Sequence, residues 1–302
     1  MRHPILSRRA LLAGMAATTG AVMTGAAHAA TVMDADQQQV AVTDLSRIVS
    51  LGGDVTEIVY ALGLGGNVVA VDTTSLFPPA VEALPKVGYL RQLGSEALLS
   101  LRPSVILASG DAGPPAALRQ LRGAGVPLLH MATSRHPADV AEKISLIARA
   151  LDHDAAGQAM RARFEAELAR AQTEVAGFPT RPRCLFILSM NGGAPMAAGA
   201  NTAADAMIRL AGGSNVFAET HGYKAISPEV AAAAAPDVLL MMSHTLEGIG
   251  GPAAAAALPA IAVTPAGRDR RIAAVDGNFH LGFGPRLPAA ITQIARRMRG
   301  LE

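Results

Sequence analysis

The 302-residue chain carries an internal echo, and that echo constrains its fold more than any single motif does. Residues 205–216 can be laid on residues 57–68, so that Leu62, Gly65, Asn67 and Val68 fall on Leu210, Gly213, Asn215 and Val216 at a constant offset of 148. Further on, Glu96, Pro103, Val105 and Leu107 fall on Glu229, Pro236, Val238 and Leu240 at a constant offset of 133. The step from 148 to 133 leaves 15 fewer residues between the two blocks in the second half, which a shortened loop supplies. Two matches in the same order indicate two homologous lobes.

Each half alternates strand and helix. Arg47 to Leu51 reads as a strand, after which Asp54 or Thr56 caps a helix through Glu57, Ile58 and Tyr60 that stops at Gly63. Short apolar strands follow at 68–71, 105–108 and 126–130, with helices at 95–101 and 115–122 between them. Ordered structure is expected to begin near Arg47, after a polar stretch around 34–39. Strands alternating with helices imply parallel sheets in an α/β fold. The expectation is therefore two Rossmann-like lobes, residues 46–135 and 180–302, with parallel central sheets and a ligand cleft between them. Residues 136–179 are rich in Ala, Leu, Glu, Arg and Gln and would connect the lobes through helices, including a single long interlobe helix.

The chain is 50% hydrophobic with one cysteine, which argues against disorder and excludes a disulfide scaffold. Its 26 basic residues include Arg2, Arg8 and Arg9, which stand in a leader without acids; without them 23 basic residues face 24 acidic ones. There is no basic block of the kind a phosphate backbone demands, so no nucleic-acid partner is expected. Residues 1–29 read as a signal peptide. The start is basic, the apolar run is short and interrupted by glycines, and Ala27-His28-Ala29 is a small-x-small cleavage site. Ser7-Arg8-Arg9 is like a twin-arginine signal, and an uncleaved anchor helix is the alternative. The mature chain would then work in the periplasm, and a monomer is expected.

Enzyme signatures are missing: no Gly-x-Ser-x-Gly elbow, Walker loop, His-Glu-x-x-His or paired-cysteine motif occurs. Cys184 lies inside an apolar strand, and the six histidines from His130 to His280 lack ligand-pair spacing. Tyr89 differs from the other tyrosines because Gly88-Tyr89-Leu90-Arg91 sits in a loop just before the helix carrying Glu96. A phenolate is a hard anionic ligand suited to ferric iron, and Arg91 could hydrogen-bond it or meet a carboxylate. Read locally, the same two residues are equally a surface Tyr-Arg pair.

These blocks resemble the periplasmic haem-binding proteins of bacterial haem ABC importers. Arg47-Ile48-Val49-Ser50-Leu51, Thr56-Glu57-Ile58 and Leu98-Leu99-Ser100-Leu101-Arg102-Pro103 carry the resemblance, together with Ser227-Pro228-Glu229 and Gly282-Phe283-Gly284-Pro285-Arg286. The Tyr89-x-Arg91 block is its most specific part, since the strand-helix opening is shared with siderophore and cobalamin binders. The resemblance implies capture of ferric haem b as transported cargo, without chemistry on it, and delivery to an inner-membrane ABC permease-ATPase complex. An outer-membrane haem receptor system would stand upstream. The alternatives are the same fold binding a ferric siderophore or cobalamin, or an exported α/β enzyme.

The resemblance makes Tyr89 the axial iron ligand and Arg91 its assistant. It makes Glu96 and Glu229 the lobe-tip carboxylates that dock the permease, although a carboxylate in the first turn of a helix also suits the helix dipole. Where some members of that family have a second-lobe histidine, this chain has Met190, as iron ligand or pocket wall. Where an arginine for a haem propionate is expected, it has His244. Tyr223 would line the cleft or pack at the lobe rim, and Arg286 completes the set of haem-contacting candidates.

Overall fold

The apolar run Ile48–Leu51 forms a strand whose four residues are all buried, as a central parallel strand covered on both faces requires. In the computed structural model, which describes residues 31–302, this strand lies between Val68–Val71 and Val105–Ala108, with Leu128–His130 beyond the latter. All three pairings are parallel. The signal peptide expected over residues 1–29 lies outside the described residues.

The second sheet repeats the plan. Arg183–Asn191 pairs in parallel with Ser214–Asn215 and with Val238–Met242, which in turn pairs with Ile272–Val275. Helix Gly53–Ala61 of the first half answers to helix Ala203–Leu210 of the second, and Ser95–Ser100 answers to Pro228–Ala234. The repeat in sequence is thus a repeat of topology. One part of the second sheet departs from it. Arg183–Asn191 runs on for nine residues, turns at Gly192 and Gly193, both at positive φ, and returns antiparallel as Ala194–Ala198. Tyr223–Ala225 adds a further antiparallel strand at that edge.

Two local expectations are corrected. The polar stretch near 34–39 belongs to an antiparallel hairpin, Thr31–Met33 with Gln39–Ala41. Asp34 is buried in its turn, accepts the backbone N–H groups of Asp36 and Gln38, and pairs with Arg122, so a polar run is used structurally. Neither Asp54 nor Thr56 caps the first helix. The N-cap is Gly52 at φ 107°, and a Cβ there would lie 2.4 Å from Ser109 Cβ, so the position needs glycine twice over. The connection between the lobes is a pair of packed helices, Pro137–Ala150 and the longer Asp154–Ala176. The second, of 23 residues, is about 35 Å long and also packs on Leu287–Arg297. Its buried Phe164 alone contributes roughly 1.5–3 kcal/mol through burial. One continuous core runs from Ile48 and Val55 through Ile144 and Phe164 to Phe186 and Ile291, so the lobes and the helical pair share their interior. Among the described residues, no helix is long and apolar enough to cross a membrane.

Candidate ligand-binding cleft

In parallel α/β sheets the carboxyl ends of the strands open a crevice, where neighbouring connections leave in opposite directions. Here both sheets turn that end toward one cavity of about 880 Å³, within the range that small-molecule ligands fill. Its walls come from segments following strands: Gly53 and Asp54, Thr73, Thr74 and Leu76, Ser109 and Asp111, and Thr133 to Arg135 from the first half. Met242 to His244 and Asp276 to Asn278 answer from the second half.

Tyr89 reaches this cavity on a loop that is held from below. Asp72 is fully buried at the end of its strand and accepts the Gly52 N–H at 2.8 Å, the Thr74 N–H at 2.8 Å and the Ser75 hydroxyl at 2.6 Å. The fixed Thr73 donates its N–H to the Gly88 carbonyl at 2.9 Å, next to Tyr89. The phenol itself stays 41% exposed. Arg91 Nη1 donates to the Tyr89 oxygen at 2.9 Å, while Arg91 Nη2 donates to Asp111 Oδ2 at 2.9 Å. Burial pulls the pKa of Arg91 down, but its bonds to Tyr89 and Asp111 prevail and hold it above the ordinary arginine value. A permanently charged donor therefore sits on an accessible phenol oxygen. The sequence-expected pair is one unit, anchored by a carboxylate that sequence reading missed.

Across the cleft, Tyr223 and His244 both line the wall, His244 exposed and Tyr223 half-buried. Burial raises the Tyr223 pKa, partly offset by the positive charges of Arg135 and Arg91 and by its hydrogen bond with Thr202, so its hydroxyl remains a donor. Leu76 is 56% exposed in the cleft wall and gives an apolar ligand surface something to lie on.

Two candidates are elsewhere. Met190 packs against the apolar cluster around Leu185, Ile187 and Phe217 and does not line the cleft. Strand periodicity would put residue 190 on the opposite face from 187, but a register shift between Ile187 and Ser189 reverses the alternation. Arg286 is likewise absent from the cleft wall. Its guanidinium is bound to Glu57 and lies 4.0 Å from the Phe77 ring centre and 4.9 Å from that of Phe279, a tie between lobes. Glu96 and Glu229 are both exposed in the first turns of topologically equivalent helices. The Ser227 hydroxyl and a backbone N–H hold the Glu229 carboxyl below the ordinary glutamate range, so it is fully ionised at neutral pH.

The cleft also contains residues that carried no sequence signal by type alone. Asp54 and Lys143 form a buried ion pair on its floor, with Ser109 donating to the same Asp54 carboxylate at 3.1 Å. Asp111 and Arg135 follow the ends of strands Val105–Ala108 and Leu128–His130, the one positional signal that could have found them. Among the described residues, no three His, Cys, Asp or Glu side chains come together to hold a metal ion.

The sequence profile described as "Periplasmic binding protein" matches residues 48–278. The chain belongs to that family. Among solved periplasmic binding proteins it is similar to the periplasmic heme-binding protein BhuT in complex with two hemes, at 44% identity and TM-score 0.80, covering 84% of this chain and 98% of that one. It is similar to the periplasmic heme-binding protein RhuT from Roseiflexus sp. RS-1, at 41% identity and TM-score 0.81, covering 85% and 98%. A curated relative, the vitamin B12-binding protein of Vibrio parahaemolyticus, is 27% identical over 68% of this chain and 74% of its own length.

Proposed function

We propose that this periplasmic binding protein captures ferric haem in the interlobe cleft and delivers it to an ABC importer of the inner membrane. The observation that carries the reading is the Arg91 guanidinium donating to the exposed Tyr89 phenol at 2.9 Å inside the cleft. Iron in a porphyrin already has four equatorial nitrogens and lacks axial ligands, so one phenolate is what a protein must add. Arg91 stabilises that phenolate, Asp111 keeps Arg91 in place, and Leu76 offers apolar contact to the ring. Tyr223 and His244 face the site from the other lobe. The protein performs no chemistry on its cargo; it acts as a monomer after removal of its signal peptide, downstream of an outer-membrane haem receptor. Glu96 and Glu229 present one carboxylate from each lobe to the permease.

Likeness to two heme-binding structures above 40% identity supports this reading over the cobalamin alternative, for which the curated relative is 27% identical. The test is a titration of the purified protein with haemin followed by absorption, with cyanocobalamin as competitor. A saturable Soret shift that cyanocobalamin does not reverse is expected. Saturable binding of cyanocobalamin without a haemin response would overturn the proposal.

A further inference from the structure

Asp111 stands between two guanidiniums and is bonded to only one of them. Its Oδ2 accepts from Arg91 at 2.9 Å, whereas its Oδ1 lies 3.7 Å from Arg135 Nη2, an attraction without a hydrogen bond. Arg135 is otherwise firmly placed. Its backbone N–H donates to Asp139 Oδ2 at 2.8 Å, and its Nη1 donates to the Ser134 carbonyl at 2.7 Å. One edge of the guanidinium is thus left toward the cleft, with the side chain 30% exposed. Two guanidiniums thus share the single Asp111 carboxylate in this corner of the cleft wall. The rest of the cleft does not compete for an anion. Asp54 and Lys143 neutralise each other on the floor, and the opposite lobe contributes the acids Glu247 and Asp276.

We propose that Arg135 is the residue that binds a carboxylate of the ligand, and that Asp111 is the resident carboxylate whose weak hold on Arg135 the ligand replaces. A guanidinium edge matches a carboxylate with two parallel hydrogen bonds, a geometry the present 3.7 Å contact does not achieve. The Tyr223 phenol feels the charges of both Arg135 and Arg91 from the opposite lobe, and it supplies a neutral donor to the same anion. The assignment rests on the haem reading and deepens it: the iron goes to Tyr89 and a propionate to Arg135, both on the first lobe. It also moves the carboxylate contact away from His244 and Arg286.

The experiment compares haemin with haemin dimethyl ester, which keeps iron and ring but has no carboxylate, on the wild type and on Arg135→Gln. The wild type should prefer haemin by at least about tenfold, the scale of one charge-assisted hydrogen bond. Arg135→Gln should lose that preference while its affinity for the ester and its ferric spectrum stay as in the wild type. Arg135→Lys should keep part of the preference, and Asp111→Asn should increase it by removing the competitor. The assignment is overturned if Arg135→Gln keeps the full preference, or if it loses both ligands equally. A wild type that binds neither compound overturns the haem reading itself, and the assignment with it.

Discussion

Arg286 and Glu57, 229 residues apart in sequence, are joined by two parallel hydrogen bonds, 2.8 Å from Nε and 2.6 Å from Nη2. Glu57 projects from helix Gly53–Ala61 of the first lobe, one turn beyond Asp54, which pairs with Lys143 of the connecting helices. One helix face therefore carries both ionic ties at the base of the cleft. Burial pushes the Glu57 carboxyl above the ordinary glutamate range despite the opposing pull of Arg286. A carboxyl raised in the folded state favours folding below its unfolded value and loses that contribution as pH rises through its folded value.

Arg286→Ala should cost about 3 kcal/mol at neutral pH, because it strands a buried carboxylate. The loss should shrink as the pH falls through the Glu57 value, when the stranded group takes up a proton. Thermal denaturation across acidic to neutral pH reads this directly. The same loss at every pH would show that lost stacking on Phe77 and Phe279 is what matters.

Tyr89→Phe should leave the melting temperature almost unchanged, since the ring is 41% exposed and its hydroxyl bonds only Arg91. Ferric ligation should disappear from the absorption spectrum. In the wild type, reduction to the ferrous state should loosen haem, because an anionic oxygen favours the more highly charged iron. Wild-type affinity and spectrum in the phenylalanine variant would remove Tyr89 from the site.

Asp72→Asn keeps the shape of a fully buried side chain but replaces one acceptor oxygen by a donor. Of the donors from Gly52, Thr74 and Ser75, at least one is then left unmet, at about 1–3 kcal/mol. Because Thr73 holds Gly88, ligand affinity should fall along with stability. Calorimetric unfolding and haemin titration of the same preparation should move together.

Replacing both Glu96 and Glu229 by Ala should leave haemin affinity as it was and abolish stimulation of the transporter ATPase in reconstituted vesicles. Unchanged stimulation would reduce both to helix-start residues.

Burial of Cys184 pushes its thiol up to about 12. It should not react with a thiol reagent at pH 8 until the protein unfolds, at which point one equivalent should react. A fast reaction of the native chain would contradict its place in the core.

The two-lobe plan was legible because strand and helix periods leave their mark locally, and because the repeat fixes which elements correspond. Tyr89 and Arg91 were legible as a pair because two residues of spacing in a loop suffice to bring them together. Arg286 was not, since its partner lies 229 positions away and nothing in Gly-Phe-Gly-Pro-Arg distinguishes a ligand contact from a tie to Glu57. The place of Met190 was hidden for a subtler reason. One irregular step at 187–189 inverts which side chains face the cleft, and alternation in sequence cannot register a bulge. Asp111 and Arg135 are ordinary loop residues until two strands are known to end side by side.

The 15-residue shortfall in the second half falls between its counterparts of Val68 and Glu96. In the first half that same interval holds Asp72, Leu76, Tyr89 and Arg91. A duplicated scaffold with matching loops would be a symmetric jaw, indifferent to which way round a flat molecule enters. The unequal loop makes the cleft one-sided: the first lobe carries the Tyr89–Arg91 segment, and the second has no counterpart of it. On the haem reading, the disc turns the face that meets Tyr89 to the first lobe, so its orientation follows from which half has the longer loop.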